Sequence, residues 1–389
     1  MKKVIEYVKE ETLKSKKELY HDYSEIFNII RKYIIDNKII VFGGFALNEY
    51  LDGNSKIYAK YDLPDIDCYS SNAINHVIKL ANILYKAGFV YVKIMAAQHP
   101  NSYRLSVNFK NIFDITNIDK SLYNKFISAY KIEKIERRVK SKFTMVTIDY
   151  IKSDFYKELS RPVSSLFRWE KIVKRMEIIN KHFKLQKTGQ SYFTNVNKKG
   201  VLNEKILEYV KERKYPLTDC IAAMYHMNMP CKTMVSIMSV DPDNTILEVK
   251  ELMKGDEGVL KIKRTFTSFD RIPPRTFISL NNQTILEIFD ASKMCISVNN
   301  IRGFQVCAAF FVLSMFYLDT ITLKDKNVVQ TVTNNICIFE KWTKQNKIEP
   351  KRLMNTKCYG IEVPRSIKLR EAWDNEPDII YKSGKKLVG

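Results

Sequence analysis

The run Leu63 to Tyr69 reads as a short strand, and it carries Asp65-Ile66-Asp67. Side chains alternate faces along a strand, so both carboxylates point one way while Ile66 enters the core. Two carboxylates on one face repel unless positive charge sits between them. Hard Mg²⁺ takes such oxygen ligands and shares them with substrate phosphates. This tripeptide is therefore a candidate anchor for metal ions shared with substrate phosphates.

Two further features extend the pattern. Asp114 lies in Asn111-Ile112-Phe113-Asp114-Ile115, another strand candidate. If the two strands are neighbours, three carboxylates stand together as a site for two metal ions. Upstream, the apolar run Lys38 to Phe42 stops at Gly43-Gly44, and a helix follows. Paired glycines let backbone approach a phosphate, and a helix N-terminus aims unpaired N–H groups at the anion. Together these imply a nucleoside triphosphate with two ions, Mg²⁺ or Mn²⁺. Asp65 and Asp67 are expected to bridge both ions, and Asp114 to serve the one that activates an attacking 3′-hydroxyl. Singly, Asp-x-Asp is more often a solvated edge, Gly-Gly a turn and a lone Asp a cap. The ordered set is what carries the reading.

The rest of the chain supports a mixed α/β architecture. Residues 1–36 are helical by spacing, residues 52–64 form a loop, and residues 72–88 form a helix that Gly88 stops. Strands are expected at 89–95, 103–109 and 111–116. A helix at 164–183 has Trp169, Ile172, Val173, Met176 and Ile179 on one face and Arg168, Lys171 and Arg175 on another. The polar segment 184–200 marks a boundary, giving domains 1–185 and 186–389. In the second, 206–227 is helical with a break near Pro216, and 233–238, 275–280 and 284–289 are strands. Asn281-Asn282 is a hairpin turn, and Val306 to Leu318 includes a buried helix too short to span a bilayer. No internal repeat is visible, nor a second Gly-Gly followed by Asp-x-Asp.

The net charge of +21 draws the chain to polyanions, nucleic acid first. No basic amphipathic anchor or lipidation motif supports a membrane, and the charged N-terminus is not a signal peptide. Seven scattered cysteines without a CxxC pair point to free thiols in a reducing compartment. Cys220, His226 and Cys231 lack a fourth ligand and the spacing of a zinc site. The five histidines read as structural.

The set Gly43-Gly44, Asp65-Ile66-Asp67 and Asp114 resembles the polymerase-β-type nucleotidyltransferase superfamily. More narrowly, Val41 to Ala46, Asp65 to Ser70 and Asn111 to Ile115 resemble the poly(A) polymerase catalytic subunits of poxviruses and other large DNA viruses. So do Asp149-Tyr150, Asp154 to Pro162, Arg168 to Lys171 and Arg271 to Thr276. The gap from Gly44 to Asp65 departs from most superfamily members by the insert 52–64. The chain is also shorter than poxvirus members, and an extra N-terminal domain is expected to be missing.

The resemblance implies a template-independent polynucleotide adenylyltransferase with ATP as substrate and an RNA 3′ end as acceptor. It implies a second, degenerate nucleotidyltransferase-like α/β domain without catalysis. Asp290 is read there as a strand-end cap. A homodimer or a separate processivity subunit is the expected assembly, and the host cytoplasm at viral factories, with the virion second, the expected location. Arg168 and Lys171 join Gly43 and Gly44 as nucleotide-binding candidates, against a solvated helix face. Arg365, Lys368, Arg370 and 382–386 form an RNA-binding or merely basic tail. The rival readings are the same chemistry on another acceptor, and an inactive RNA-binding subunit.

Overall fold

The computed structural model describes residues 1–97, 99–184, 202–230, 233–265, 273–323, 325–345 and 347–375. The basic run 382–386, Arg271-Ile272, Cys231 and most of the expected linker 184–200 lie outside the described residues.

Packing divides the chain into two units. One is Met1–Thr147 joined by the helix at 365–375, and the other is Ile148–Pro364. The first opens with α1 (Lys2–Asp36), which buries Tyr23, Ile26, Phe27, Ile30, Tyr33 and Ile34 on one stripe. Then follow β1 (Ile40–Phe42), α2 (Gly43–Tyr50), β2 (Ile66–Ser70), α3 (Ala73–Lys86), β3 (Lys93–Ala96), β4 (Ser102–Val107), β5 (Lys110–Asn117), α4 (Lys120–Glu136) and β6 (Thr144–Met145). The strands form one sheet in the order β3-β4-β5-β2-β1-β6. Pairing is parallel for β2/β5 and β1/β6 and antiparallel for β1/β2, β3/β4 and β4/β5. Gly88, at φ +93°, follows α3 in the backbone region that stops helices.

The second unit holds α5 (Ile148–Glu158), α6 (Pro162–Ser165), α7 (Trp169–His182), α8 (Glu204–Arg213), α9 (Asp219–Met227), β7 (Val235–Ser239), α10 (Pro242–Leu252), β8 (Leu260–Thr265), β9 (Arg275–Leu280), β10 (Gln283–Asp290), β11 (Ile296–Ile301), β12 (Phe304–Cys307), α11 (Ala309–Thr322), α12 (Lys326–Thr343), α13 (Pro350–Leu353) and β13 (Cys358–Tyr359). The last helix, α14 (Arg365–Asn375), packs on β3 of the first unit.

The expected division at 185/186 differs from the packing, which breaks at Thr147/Ile148. The cause is α5. It buries Ile148, Tyr150, Ile151, Phe155 and Tyr156 and lies against α11. Ser153 Oγ donates to the Ser314 carbonyl at 2.8 Å. Glu340 Oε1 accepts from Tyr317 at 2.6 Å and Tyr156 at 3.1 Å, beside a buried Lys152.

The expectation of free thiols throughout is also corrected. Cys295 and Cys358 are disulfide-bonded, with Cα atoms 5.4 Å apart. The antiparallel β11/β13 pairing, Ile296 opposite Tyr359 and Ser297 opposite Cys358, brings them into reach. Cys68, Cys220, Cys307 and Cys337 are free thiols.

The strand pairing repeats. In the first unit β2 pairs parallel with β5, then β5/β4 and β4/β3 antiparallel; in the second, β7 pairs parallel with β10, then β10/β9 and β9/β8 antiparallel. Leu217 bridges Ile237 antiparallel and Val306 parallel, as Val41 does Cys68 and Met145. The following turns match as well. Phe42 has φ −136°, ψ −175° before Gly43 at φ +67°, and Thr218 has φ −137°, ψ −176° before Asp219 at φ +55°.

Candidate active site

β1 is a fully buried run of Ile, Val and Phe, and Gly43 turns it into α2. The turn needs a glycine. Its φ of +67° is a left-handed conformation, and a Cβ there would sit 3.1 Å from Asp67 Oδ2. The absence of a side chain thus lets the Asp67 carboxylate lie against backbone. The N-cap residue of α2 is Phe42, whose side chain offers no capping acceptor. Gly44 is buried inside the first turn.

The loop 52–64 is tied to helices. Asn48 Oδ1 accepts from the amides of Ile57 and Tyr58 at 3.1 Å each. Asp62 pairs with Lys16 at 2.8 Å, and Tyr61 packs edge-on against Tyr20. The insert is therefore anchored on α1 and α2, and the chain re-enters the sheet at Ile66.

Asp65 is exposed just before β2, Ile66 and Cys68 are buried, and Asp67 is half-buried. That alternation is the one the tripeptide predicted. The parallel register sets Asp67 opposite Asp114 and Phe42 opposite Asp67. Three strands thus bring Gly43, Asp67 and Asp114 to one end of the sheet. Beneath them Phe42 stacks on Tyr69 with centroids 3.9 Å apart, and Tyr69 on Phe126. Burial pushes the Cys68 thiol well up, and the nearby Asp67 and Asp114 add to it, so Cys68 is an inert neutral core residue.

Arg104 was not among the sequence-derived candidates. It faces Asp114 across β4/β5. Its Nε donates to Asp114 Oδ1 at 2.8 Å and its Nη2 to Oδ2 at 2.6 Å. The Asp114 hydrogen bond, then the fields of Asp114, Asp65 and Asp67, hold the guanidinium pKa above its ordinary value despite desolvation. Arg104 is thus a counter-cation for all three carboxylates. Lys110, at the start of β5, also feels Asp65, although burial pulls its pKa down overall.

The donors suit a hard divalent cation in kind: carboxylate oxygens beside a glycine that a Cβ would crowd. In this conformation Asp114 is turned to Arg104, and among the described residues no three acidic, histidine or cysteine side chains converge on a metal position.

Arg168 and Lys171 belong to the second unit. Arg168 is exposed at the α7 N-terminus and pairs with Glu158 at 3.1 Å. Asp290 accepts from the Ser292 amide at 2.8 Å, the cap expected of it. His226 and His76 are both structural, bonded to the Cys307 carbonyl and the Tyr33 hydroxyl.

A family model described as the poly(A) polymerase catalytic subunit matches residues 28–165, which include Gly43, Asp65, Asp67 and Asp114. A putative poly(A) polymerase catalytic subunit of Acanthamoeba polyphaga mimivirus is 30% identical over 165 residues, 41% of this chain and 27% of that protein. One from African swine fever virus (strain Badajoz 1971 Vero-adapted) is 33% identical over 98 residues, 25% of this chain and 20% of that protein. The chain thus matches under a third of these curated relatives' length. The crystal structure of the Megavirus polyadenylate synthase shares the fold, with TM-score 0.78, 19% identity and coverage of 97% of this chain and 82% of that one.

Proposed function

We propose that the chain is a viral template-independent polynucleotide adenylyltransferase that adds AMP from ATP to RNA 3′ ends. The observation that carries this is the register of Asp67 opposite Asp114, with the side-chain-free Gly43 turn against Asp67. The family match over the same residues and the charge of +21 agree with it.

In this reading Asp65, Asp67 and Asp114 would hold two Mg²⁺ or Mn²⁺ ions, whose charge would offset the triphosphate and lower the pKa of the 3′-hydroxyl when bound. Gly43 and Gly44 let backbone N–H groups meet the triphosphate, and Arg168 and Lys171 are further nucleotide contacts. Arg104 orients Asp114, and the buried Phe42–Tyr69 stack keeps the strand ends rigid. The second unit is a degenerate nucleotidyltransferase-like copy. Its support is the repeated pairing order, with Met234, Ser236 and Glu287 where register places Asp65, Asp67 and Asp114. RNA and ATP are the substrates, a homodimer or a separate processivity subunit the assembly, and the host cytoplasm at viral factories, with the virion second, the location.

The test supplies purified protein with an RNA oligonucleotide, Mg²⁺ or Mn²⁺ and each nucleotide singly. Extension with ATP alone, lost in Asp65→Ala, supports the proposal. No extension with any nucleotide sinks it and points to an RNA-binding subunit. Another preferred nucleotide points to a different transferase.

A further inference from the structure

Two aromatic side chains lie exposed together at one corner of the first unit. Phe109 is 82% exposed and Tyr91 48%, and their ring centroids are 4.6 Å apart. Phe109 is the second residue of the turn between β4 and β5, and Tyr91 lies two residues before β3. Adjoining exposed apolar groups mark a contact surface more often than scattered single ones do.

The backbone beneath both rings is left-handed, with φ +51° at Tyr91 and +65° at Phe109. A Cβ is unfavourable there, and the residues such a turn prefers are Gly and Asn. The second unit shows the ordinary solution. Its matching turn, between β9 and β10, is Asn281-Asn282 at φ +49° and +66°, and Gly258 lies against the Asn281 side chain at the same corner. Only the unit that holds Asp65, Asp67 and Asp114 carries rings there. The turn itself does not require them, and backbone strain of this kind persists where a side chain serves a contact.

The corner is fixed, and it stands at the carboxylate end of the sheet. The Tyr23 hydroxyl of α1 lies 3.3 Å from the carbonyls of both Val107 and Asn108, which pins the turn. Lys110, next after Phe109, stands over the Tyr23 ring at 5.2 Å and feels the field of Asp65. Lys93, two residues past Tyr91, is exposed, so an ammonium group follows each ring in the chain. At the rise of a strand, the five residues from Phe109 to Asp114 set the rings roughly 15 Å from the candidate site. Rings beside cations are the combination that holds single-stranded nucleic acid, with bases stacked on the rings and phosphates near the cations. An aliphatic protein surface would leave the lysines unmatched, and a free phosphate would leave the rings in water.

We propose that Tyr91 and Phe109 form a stacking ledge for a base of the single-stranded RNA acceptor, a short way upstream of its 3′ end. This rests on the reading of RNA as the acceptor and names the surface that holds the strand.

The test measures binding without catalysis. In an Asp65→Ala background and without any nucleoside triphosphate, the full chain is titrated into an oligoribonucleotide carrying 2-aminopurine at successive positions. Quenching is expected at a position short of the 3′ end. Asn suits the left-handed backbone, so Tyr91→Asn/Phe109→Asn should fold with an unchanged or higher melting temperature. It should remove that quenching and weaken affinity about tenfold, the scale of one lost base stack. The salt dependence should stay the same, because no cation is removed. Tyr91→Trp/Phe109→Trp should keep both quenching and affinity. Quenching and affinity unchanged in the Asn pair overturn the proposal, as does an affinity loss that an abasic oligonucleotide shows equally. A change in sedimented mass without a change in affinity also overturns it and assigns the ledge to a contact between protein chains. A wild type that extends no primer while the quenching holds sinks only the transferase reading, and an active wild type without the quenching sinks only the ledge.

Discussion

Arg104 grips Asp114 by a two-pronged ion pair, Nε to Oδ1 at 2.8 Å and Nη2 to Oδ2 at 2.6 Å. Each side chain is 23% exposed, so the pair is screened only in part. The guanidinium's charge offsets repulsion among three nearby carboxylates, and its fork fixes the Asp114 plane.

Arg104→Lys retains the charge and loses the fork. Residues that orient a metal ligand typically contribute ~10–100-fold to activity or metal affinity. Arg104→Lys should therefore lower kcat within that range while KM for ATP stays nearly constant. A change confined to KM would assign Arg104 to nucleotide binding.

Gly43→Ala should damage the same site from the other side. Its positive φ carries a penalty of roughly 1–2 kcal/mol for any Cβ, and the methyl would press on Asp67 Oδ2. Activity should fall at least tenfold, with a melting shift of a few degrees. Wild-type kinetics in Gly43→Ala would remove the close approach from the mechanism.

Most of the first unit was legible because its signals are local. The β1–Gly43 turn, the α3 stripe and the alternation of Asp65, Ile66 and Asp67 all arise within a few residues. Arg104 was hidden for a physical reason. Asn108 and Phe109, both at positive φ, make a two-residue turn that pairs Ser106 with Asn111. Unbroken, that register would set Arg104 opposite Phe113 and away from the carboxylates. A bulge at Ile112 shifts it by one residue and brings Arg104 to Asp114. The repeat in the second unit was equally hidden. Strand order and register repeat, but Asp219, Met234, Ser236 and Glu287 replace the residues that would announce it. The packing division at Thr147/Ile148 was not legible because the apolar face of α5 does not say which core it joins.

His226 makes stability depend on pH. Its folded pKa of about 4 lies below the ordinary 6.5, with burial the main cause. Between these values the unfolded chain binds more protons, so stability rises with pH there and is lost as pH falls from about 6.5 towards 4. The full effect is on the order of 3 kcal/mol by linkage. His76, also depressed by burial, acts in the same direction. The melting temperature should therefore drop between pH 7 and 5, and His226→Gln should flatten most of that drop. An unchanged slope in the variant would refute the assignment.

Register places Ser236 and Glu287 where the first unit has Asp67 and Asp114, and the polar groups there are already paired with one another. Glu287 is fully buried, accepts from Ser236 Oγ at 3.0 Å, and faces Arg275, which Asp319 also holds at 2.7 Å. Asp219 occupies the turn that Gly43 leaves open, so a carboxylate stands where an anion would be needed. Restoring acids cannot rebuild the site. Met234→Asp/Ser236→Asp would bury two further charges beside Glu287, and an uncompensated buried charge costs about 3–5 kcal/mol. In an Asp65→Ala background this pair should yield no extension of an RNA primer and a markedly lower melting temperature. Primer extension regained by that variant would show that the second unit keeps a latent catalytic geometry and would overturn its reading as a degenerate copy.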